Sequence, residues 1–217
     1  MDEIIRNIAV YALPVLFAIT LHEAAHAYAA RYFGDNTAYA QGRMTLNPLS
    51  HVDPFGTIII PIALYLMSGF VFGYAKPVPV QFGNLRNPKR DMAWVALAGP
   101  AANFIMALMW LIFGMILIAT GVGEEFPHKV AQAGIITNLL IFAFNLFPLP
   151  PLDGGRVLTS MLPHQLAFKF AKIEPYGFFI LLALLYFGVL SFWLQPVMWL
   201  AGSAVQMLAS PIKMLLI

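Results

Sequence analysis

The chain has no cysteine and few charges: of 217 residues none is Cys, and 10% are Asp, Glu, Lys or Arg. The first absence excludes disulfide staples, thiolate metal ligands and a cysteine nucleophile. The second excludes an ordinary soluble domain, in which about 25% of residues are charged. Net charge is equally sparse. Twelve Lys+Arg against 10 Asp+Glu leave +2, too little to suggest a nucleic-acid partner. No cleavable signal peptide is expected, because Asp2 and Glu3 spoil a basic n-region and the first apolar stretch runs on into His22 and Glu23. What fills the chain is apolar: 60% hydrophobic residues, 18 of them Phe, with a mean hydropathy of +0.78. This is the composition of an all-α, multi-pass integral membrane protein.

A span takes about 20 mostly apolar residues. Five stretches qualify as full or near-full spans: roughly 7–32, 92–120, 131–150, 175–195 and 197–217. The last is interrupted by Gly202, Ser203 and Pro211, so it either spans or lies at the interface. A sixth stretch, 55–73, contains Gly56, Pro61 and Gly69. After it, Lys76-Pro-Val-Pro-Val80 alternates proline with valine, which cannot be helix interior and predicts a short edge strand or hairpin. Nothing in the sequence separates off a second domain. Residues 1–217 read as one membrane domain, with a core at about 7–160 and additional C-terminal helices at about 175–217.

Arginine and lysine set the orientation. The connectors 31–54, 74–91 and 153–174 carry nine of them, whereas the other ends carry only Arg6 and Lys129, beside Asp2, Glu3, Glu124 and Glu125. The rich connectors are therefore expected in the cytoplasm, with the protein in the cell membrane. The span 7–32 then enters the cytoplasm and 92–120 leaves from it. Residues 55–73 are accordingly expected to be re-entrant, dipping in against protein or a water-filled cavity and returning. The alternative is that 55–73 spans fully and the charge count misleads.

The chemistry starts at His22-Glu-Ala-Ala-His26. On a helix, residues 22 and 26 are i and i+4, so both imidazoles leave one face toward one metal, with Glu23 beside them. In soluble proteins this pattern is often a solvated helix face. Within a membrane helix, three unpartnered ionisable groups cost several kcal/mol or more, which favours zinc. Catalytic zinc takes a third protein ligand and an open position. Asp35, Asp53, Asp91, Glu124, Glu125, Asp153 and Glu174, with His51, His128 and His164, exhaust the remaining acids and histidines of the interior. Asp153 stands out in Asn145-Leu-Phe-Pro-Leu-Pro-Pro-Leu-Asp153-Gly-Gly, where prolines force a non-helical backbone able to present a carboxylate at membrane depth. A solvated Asp in a helix-terminating turn before Gly154 and Gly155 is the plainer alternative.

His22-Glu-x-x-His26 with the distant Asn145-x-x-Pro-x-Pro-x-Leu-Asp153-Gly-Gly resembles the site-2 protease family of intramembrane zinc metalloproteases. Gly99-Pro100-Ala-Ala-Asn103 resembles that family's third recurrent motif. Asn47-Pro-Leu-Ser-His51-Val-Asp53-Pro and Lys76-Pro-Val-Pro-Val resemble its compact prokaryotic members, without PDZ-like or cystathionine-synthase-type modules. The similarity runs from about residue 15 to 160. It implies His22, His26 and Asp153 as ligands of Zn2+, Glu23 as catalytic base and Asn145 as a donor to the oxyanion. It further implies transmembrane protein substrates in the lipid bilayer, cut within or near it from the cytoplasmic side. Lys76–Val80 is then a docking edge for an unwound substrate, unless it is a mere spacer. His51 and Asp53 are candidates for gating or transient ligation, against a satisfied loop pair. Asn103 is a candidate for support across helices, with close packing at Gly99 the alternative. Two competing readings remain: a zinc peptidase with Glu174 as third ligand, and a non-proteolytic zinc-binding membrane transporter, which predicts ionisable residues on several spans.

Overall fold

The computed structural model describes residues 2–60 and 75–216. All regular elements among these are helical. They are α1 (Asp2–Tyr32), α2 (Thr37–Ala40), α3 (Pro88–Ala119), α4 (Glu125–Asn145), α5 (Asp153–Met161), α6 (His164–Ala171), α7 (Glu174–Tyr186) and α8 (Ser191–Leu216). Short helical turns at Pro48–His51, Pro54–Ile59 and Phe82–Asn84 fill the connectors.

Of these, α1 and α3 are each long and apolar enough to cross a membrane alone. Together α7 and α8 make a third candidate, bent by 87°. The predicted spans 175–195 and 197–217 are therefore divided elsewhere than expected. The break falls at 187–190, where Gly188 takes φ +71°, a left-handed residue that ends α7 as glycine commonly ends helices. The predicted 131–150 helix is likewise displaced. It starts at Glu125 and stops at Asn145, before the prolines.

Side-chain contacts fix the helix directions. His26 of α1 meets Val95 of α3, while His22 and Ala18 meet Asn103. Descending α1 thus follows ascending α3, and the two are antiparallel. Asn103 meets Asn138, and Trp110 lies against Gly134, so α4 is antiparallel to α3 and parallel to α1. Both helices that lead to the site therefore run the same way. The chain leaves α1 and re-enters α3 at the same end of the bundle, where Ala30, Leu85 and Val95 share one cluster. The re-entrant reading of 55–73 falls mostly on residues outside the described ones.

Lipid supplies no hydrophobic drive between helices, so close approach and buried polar bonds must hold them. Small residues provide that approach on α1, where Ala18, Ala24, Ala27 and Ala30 are all buried. On the far side, Ala107 of α3, Leu139 of α4, and Ala201 and Val205 of α8 form one cluster.

Residues 75–80 form no ladder among the described residues and run without regular structure. Lys76 and Val78 each precede a proline, which pushes both toward extended backbone. Several contacts pin the segment. The Lys76 N–H donates to the His51 carbonyl at 2.9 Å, Arg43 donates to the Lys76 carbonyl at 3.2 Å, and Val78 is buried against Ala27 and Ala38. Asp35, 1% exposed, closes the same region. Its carboxylate accepts from the Thr37 N–H and hydroxyl, the Gln81 N–H at 2.7 Å and the Asn84 amide at 3.1 Å. Burial works to raise its pKa. The hydrogen bonds, led by the Thr37 hydroxyl, outweigh that and hold it below the usual aspartate value.

Candidate metal centre

Three buried side chains from two helices converge. His22 Nε2 and His26 Nε2 lie 3.0 Å apart, and Asp153 Oδ2 is 3.2 Å from the first and 3.3 Å from the second. One helix turn supplies both imidazoles. Asp153 opens α5 and is buried, so the alternative of a solvated Asp in a helix-terminating turn is corrected. Leu146–Leu152 loop back, and Asp153 enters as the first residue of a new helix. The Asp-Gly-Gly run explains how the backbone comes so close. A Cβ on Gly154 would overlap the Leu146 carbonyl, and one on Gly155 would overlap Pro150 and Leu149. On the facing wall, a Cβ on Gly99 would overlap both imidazoles. Any other residue there would push α3 off the site.

The protons on the imidazoles can be assigned by following the hydrogen bonds outward. His26 Nδ1 lies 2.8 Å from the Val95 carbonyl, which can only accept, so Nδ1 carries the hydrogen. His22 Nδ1 lies 2.6 Å from Asn103 Oδ1. The Asn103 amide donates to the Ala18 carbonyl and to Asn138 Oδ1, and the Asn138 amide donates to the Gly134 carbonyl. Both terminal carbonyls can only accept, so each amide is oriented and Asn103 Oδ1 faces a His22 N–H. With hydrogen on both Nδ1 atoms, neutral imidazoles turn two Nε2 lone pairs toward each other and toward a carboxylate. Asp153 Oδ2 is buried with no hydrogen-bond donor. Electron pairs arranged so repel one another unless a cation lies among them. Their edges of 3.0–3.3 Å fall just short of the roughly 3.3–3.6 Å edge of a tetrahedron with ligand distances of about 2.0–2.2 Å, as zinc takes, so a small outward shift of the three side chains would seat the ion. The donor set, two imidazoles and a carboxylate, fits zinc equally well.

The other candidates fall out differently. Glu23 is half-buried, and its Oε2 accepts the Val78 N–H at 2.7 Å, which ties the motif to the Pro77/Pro79 segment. Asn145 ends α4 and donates its amide to the Ile141 carbonyl of its own helix at 3.0 Å. Among the described residues, no hydrogen bond joins it to the histidines or Asp153. His51 is buried, with Nε2 on the Thr45 carbonyl at 3.0 Å. Asp53 instead accepts the Phe55 and Gly56 N–H groups, capping the turn that follows. Neither belongs to the metal-capable cluster, which among the described residues is His22, His26 and Asp153. Glu174 pairs with Arg156 at 3.2 Å, away from that cluster. Asn103 holds His22, as its motif suggested. The sequence reading passed over Asn138. The one sequence hint was an amide inside the apolar run Ile135-Ile-Thr-Asn138-Leu-Leu, seven residues before Asn145; its burial shows only in the fold.

Comparison with known proteins agrees with this centre. The family model described as Peptidase family M50 matches residues 10–137 and 122–188. YwhC of Bacillus subtilis (strain 168), named as a zinc metalloprotease, is 39% identical over 196 residues, covering 86% of this chain and 84% of that protein. Rip2 of Mycolicibacterium smegmatis, also named as a zinc metalloprotease, is 31% identical over 183 residues, covering 82% and 67%. The regulator of sigma-E protease RseP of Salmonella typhimurium (strain 14028s / SGSC 2262) is 29% identical over 191 residues, covering 82% of this chain and 41% of that protein. No solved structure gives a significant match. The chain belongs to peptidase family M50, the site-2 proteases, and is a zinc metalloprotease of that family.

Proposed function

We propose that this protein hydrolyses peptide bonds of membrane-spanning substrate proteins within or near the bilayer, with its active site toward the cytoplasm. The observation that carries the reading is the convergence of two imidazole lone pairs and an orphaned carboxylate oxygen at the inner end of a membrane-length helix. His22, His26 and Asp153 would hold zinc. Bound there, zinc supplies Lewis acidity, polarising a carbonyl and acidifying water. Glu23, next to His22, accepts the water proton and delivers it to the leaving amide nitrogen. Asn145 donates to the developing oxyanion after releasing the Ile141 carbonyl. The Lys76–Val80 segment, already fastened to Glu23 at Val78, lies where an unwound substrate would dock.

The orientation rests on charge. Arg43, Lys76, Arg86, Lys89, Arg90 and Arg156 cluster toward the metal end, whereas Lys129 at the other end is paired with Glu125 at 2.9 Å. On this reading residues 1–217 form one membrane domain of five to six transmembrane segments, with 55–73 re-entrant. The deciding experiment compares wild type with Glu23→Gln, each co-expressed with single-span membrane proteins. Glu23→Gln should keep one zinc per chain and lose cleavage by about 10²–10⁴-fold. Full activity in that variant would remove the proposed base.

A further inference from the structure

At the metal end of the bundle α3 and α5 leave a groove of about 580 Å³. Lys89 and Arg90 line it together with Ala93, Trp94, Val157 and Met161. Lys89 and Ala93 are i and i+4, as are Arg90 and Trp94, so both cations stand one turn above the walls on one side of α3. Neither cation has an ion pair among the described residues. The nearest carboxylate in sequence, Asp91, is buried and accepts the Asn87 N–H at 2.7 Å. The walls remain open, with Trp94 54% and Met161 76% exposed.

Depth decides what such a groove can take. Lys89 and Arg90 lie in the first turn of a candidate membrane span, Pro88–Ala119, so they sit at headgroup level. Trp94 falls one turn deeper, where indole rings concentrate at membrane interfaces. Two unpaired cations above an apolar, aromatic slot complement a negative headgroup above an acyl chain. A zwitterionic lipid would meet the same walls but bring no excess charge for the cations. We propose that this groove binds one anionic phospholipid, its phosphate at Lys89 and Arg90 and its upper acyl chain against Trp94, Val157 and Met161. This site is independent of the protease reading, yet it touches it physically. α5 begins at Asp153, so the lipid packs one and two turns along the helix that presents the third ligand.

The test uses the full chain in detergent micelles, titrated with phosphatidylglycerol or phosphatidylcholine carrying brominated acyl chains, which quench nearby indoles. The chain has 4 Trp, so the Trp94→Phe variant identifies the Trp94 share of the signal. Phosphatidylglycerol should quench Trp94 at concentrations at least tenfold lower than phosphatidylcholine. A surface cation contributes roughly fivefold to affinity for anionic lipid, so Lys89→Ala with Arg90→Ala should weaken phosphatidylglycerol by roughly thirtyfold. Ala93→Phe, which fills the slot and keeps both charges, should weaken it too. Retention of one zinc per chain certifies that each variant is folded. Equal quenching by the two lipids in wild type, or undiminished phosphatidylglycerol quenching in the double variant, would overturn the site.

Discussion

Removing the Asn103 side chain tests the protonation argument directly, because among the described residues Asn103 is the only hydrogen-bond partner of His22 Nδ1. Asn103→Ala leaves the buried His22 Nδ1–H without its acceptor at 2.6 Å and Asn138 Oδ1 without its donor at 3.0 Å. A buried polar group stripped of its partner costs about 1–3 kcal/mol. Zinc binding feels the His22 share, since the freed ring can rotate or change tautomer and withdraw its Nε2 lone pair. Loss of such an outer partner typically weakens metal affinity 10–100-fold, and at 1.4 kcal/mol per tenfold the two figures agree. The assay is zinc competition against a chelator of known affinity, with thermal unfolding followed in parallel. Asn138→Ala should cost less, because Asn103 keeps its bond to the Ala18 carbonyl at 3.1 Å. The double variant should be no worse than Asn103→Ala alone, since Asn138 acts on His22 only through Asn103. Zinc affinity within twofold of wild type in Asn103→Ala would refute the assigned tautomer and the relay together.

Three further outcomes are expected. With no native thiol to interfere, single cysteines at Asn36, Asn87 and His164 should label from the cytoplasmic side and one at Glu124 from outside; opposite labelling of Asn36 and Asn87 would show that 55–73 crosses. Asn145→Ala should keep its zinc and its melting temperature while turnover falls about 10²–10³-fold, and wild-type turnover would leave Asn145 with only its bond to Ile141. The lowered pKa of Asp35 stabilises the fold in full above the unfolded value of about 3.9, and that contribution disappears as pH falls below it through the native value. Asp35→Asn, which turns an amide nitrogen toward either the Gln81 donor or the Thr37 donors, should therefore destabilise by about 1–3 kcal/mol at pH 7 and flatten the acid limb of a melting-temperature profile.

How much of this was written in the sequence depends on the range of each interaction. His22, Glu23 and His26 were legible because helical period alone sets their geometry, and the apolar setting raised the cost of any idle role. Asp153 could be picked out by its prolines. That it starts a helix instead of ending one follows from the packing of Gly154 and Gly155 onto the preceding loop, which no local pattern encodes. Asn138 was overlooked for the same reason. Its importance exists only once α3 and α4 are packed, 35 positions apart in the chain. The bend at Gly188 was hidden inside an apolar run whose hydropathy does not change where its direction does. Lys76–Val80 was correctly read as unsuited to a helix, yet strand pairing needs a partner that the described residues do not supply.

The proline pair also bears on what that segment can do to other copies of the protein. Exposed backbone with free N–H groups invites a neighbouring chain to add itself as a strand, the first step of ordered aggregation. Here Pro77 and Pro79 have no N–H at all, and the single donor between them, on Val78, is occupied by the Glu23 carboxylate. What remains along 77–79 is carbonyls, that of Pro77 already accepting from Arg43 at 3.4 Å, and two such rows meeting face to face have nothing to exchange. Only a chain that brings its own donors can pair there. On the proposed docking role, the segment would take a foreign peptide while offering its own duplicate nothing to pair with.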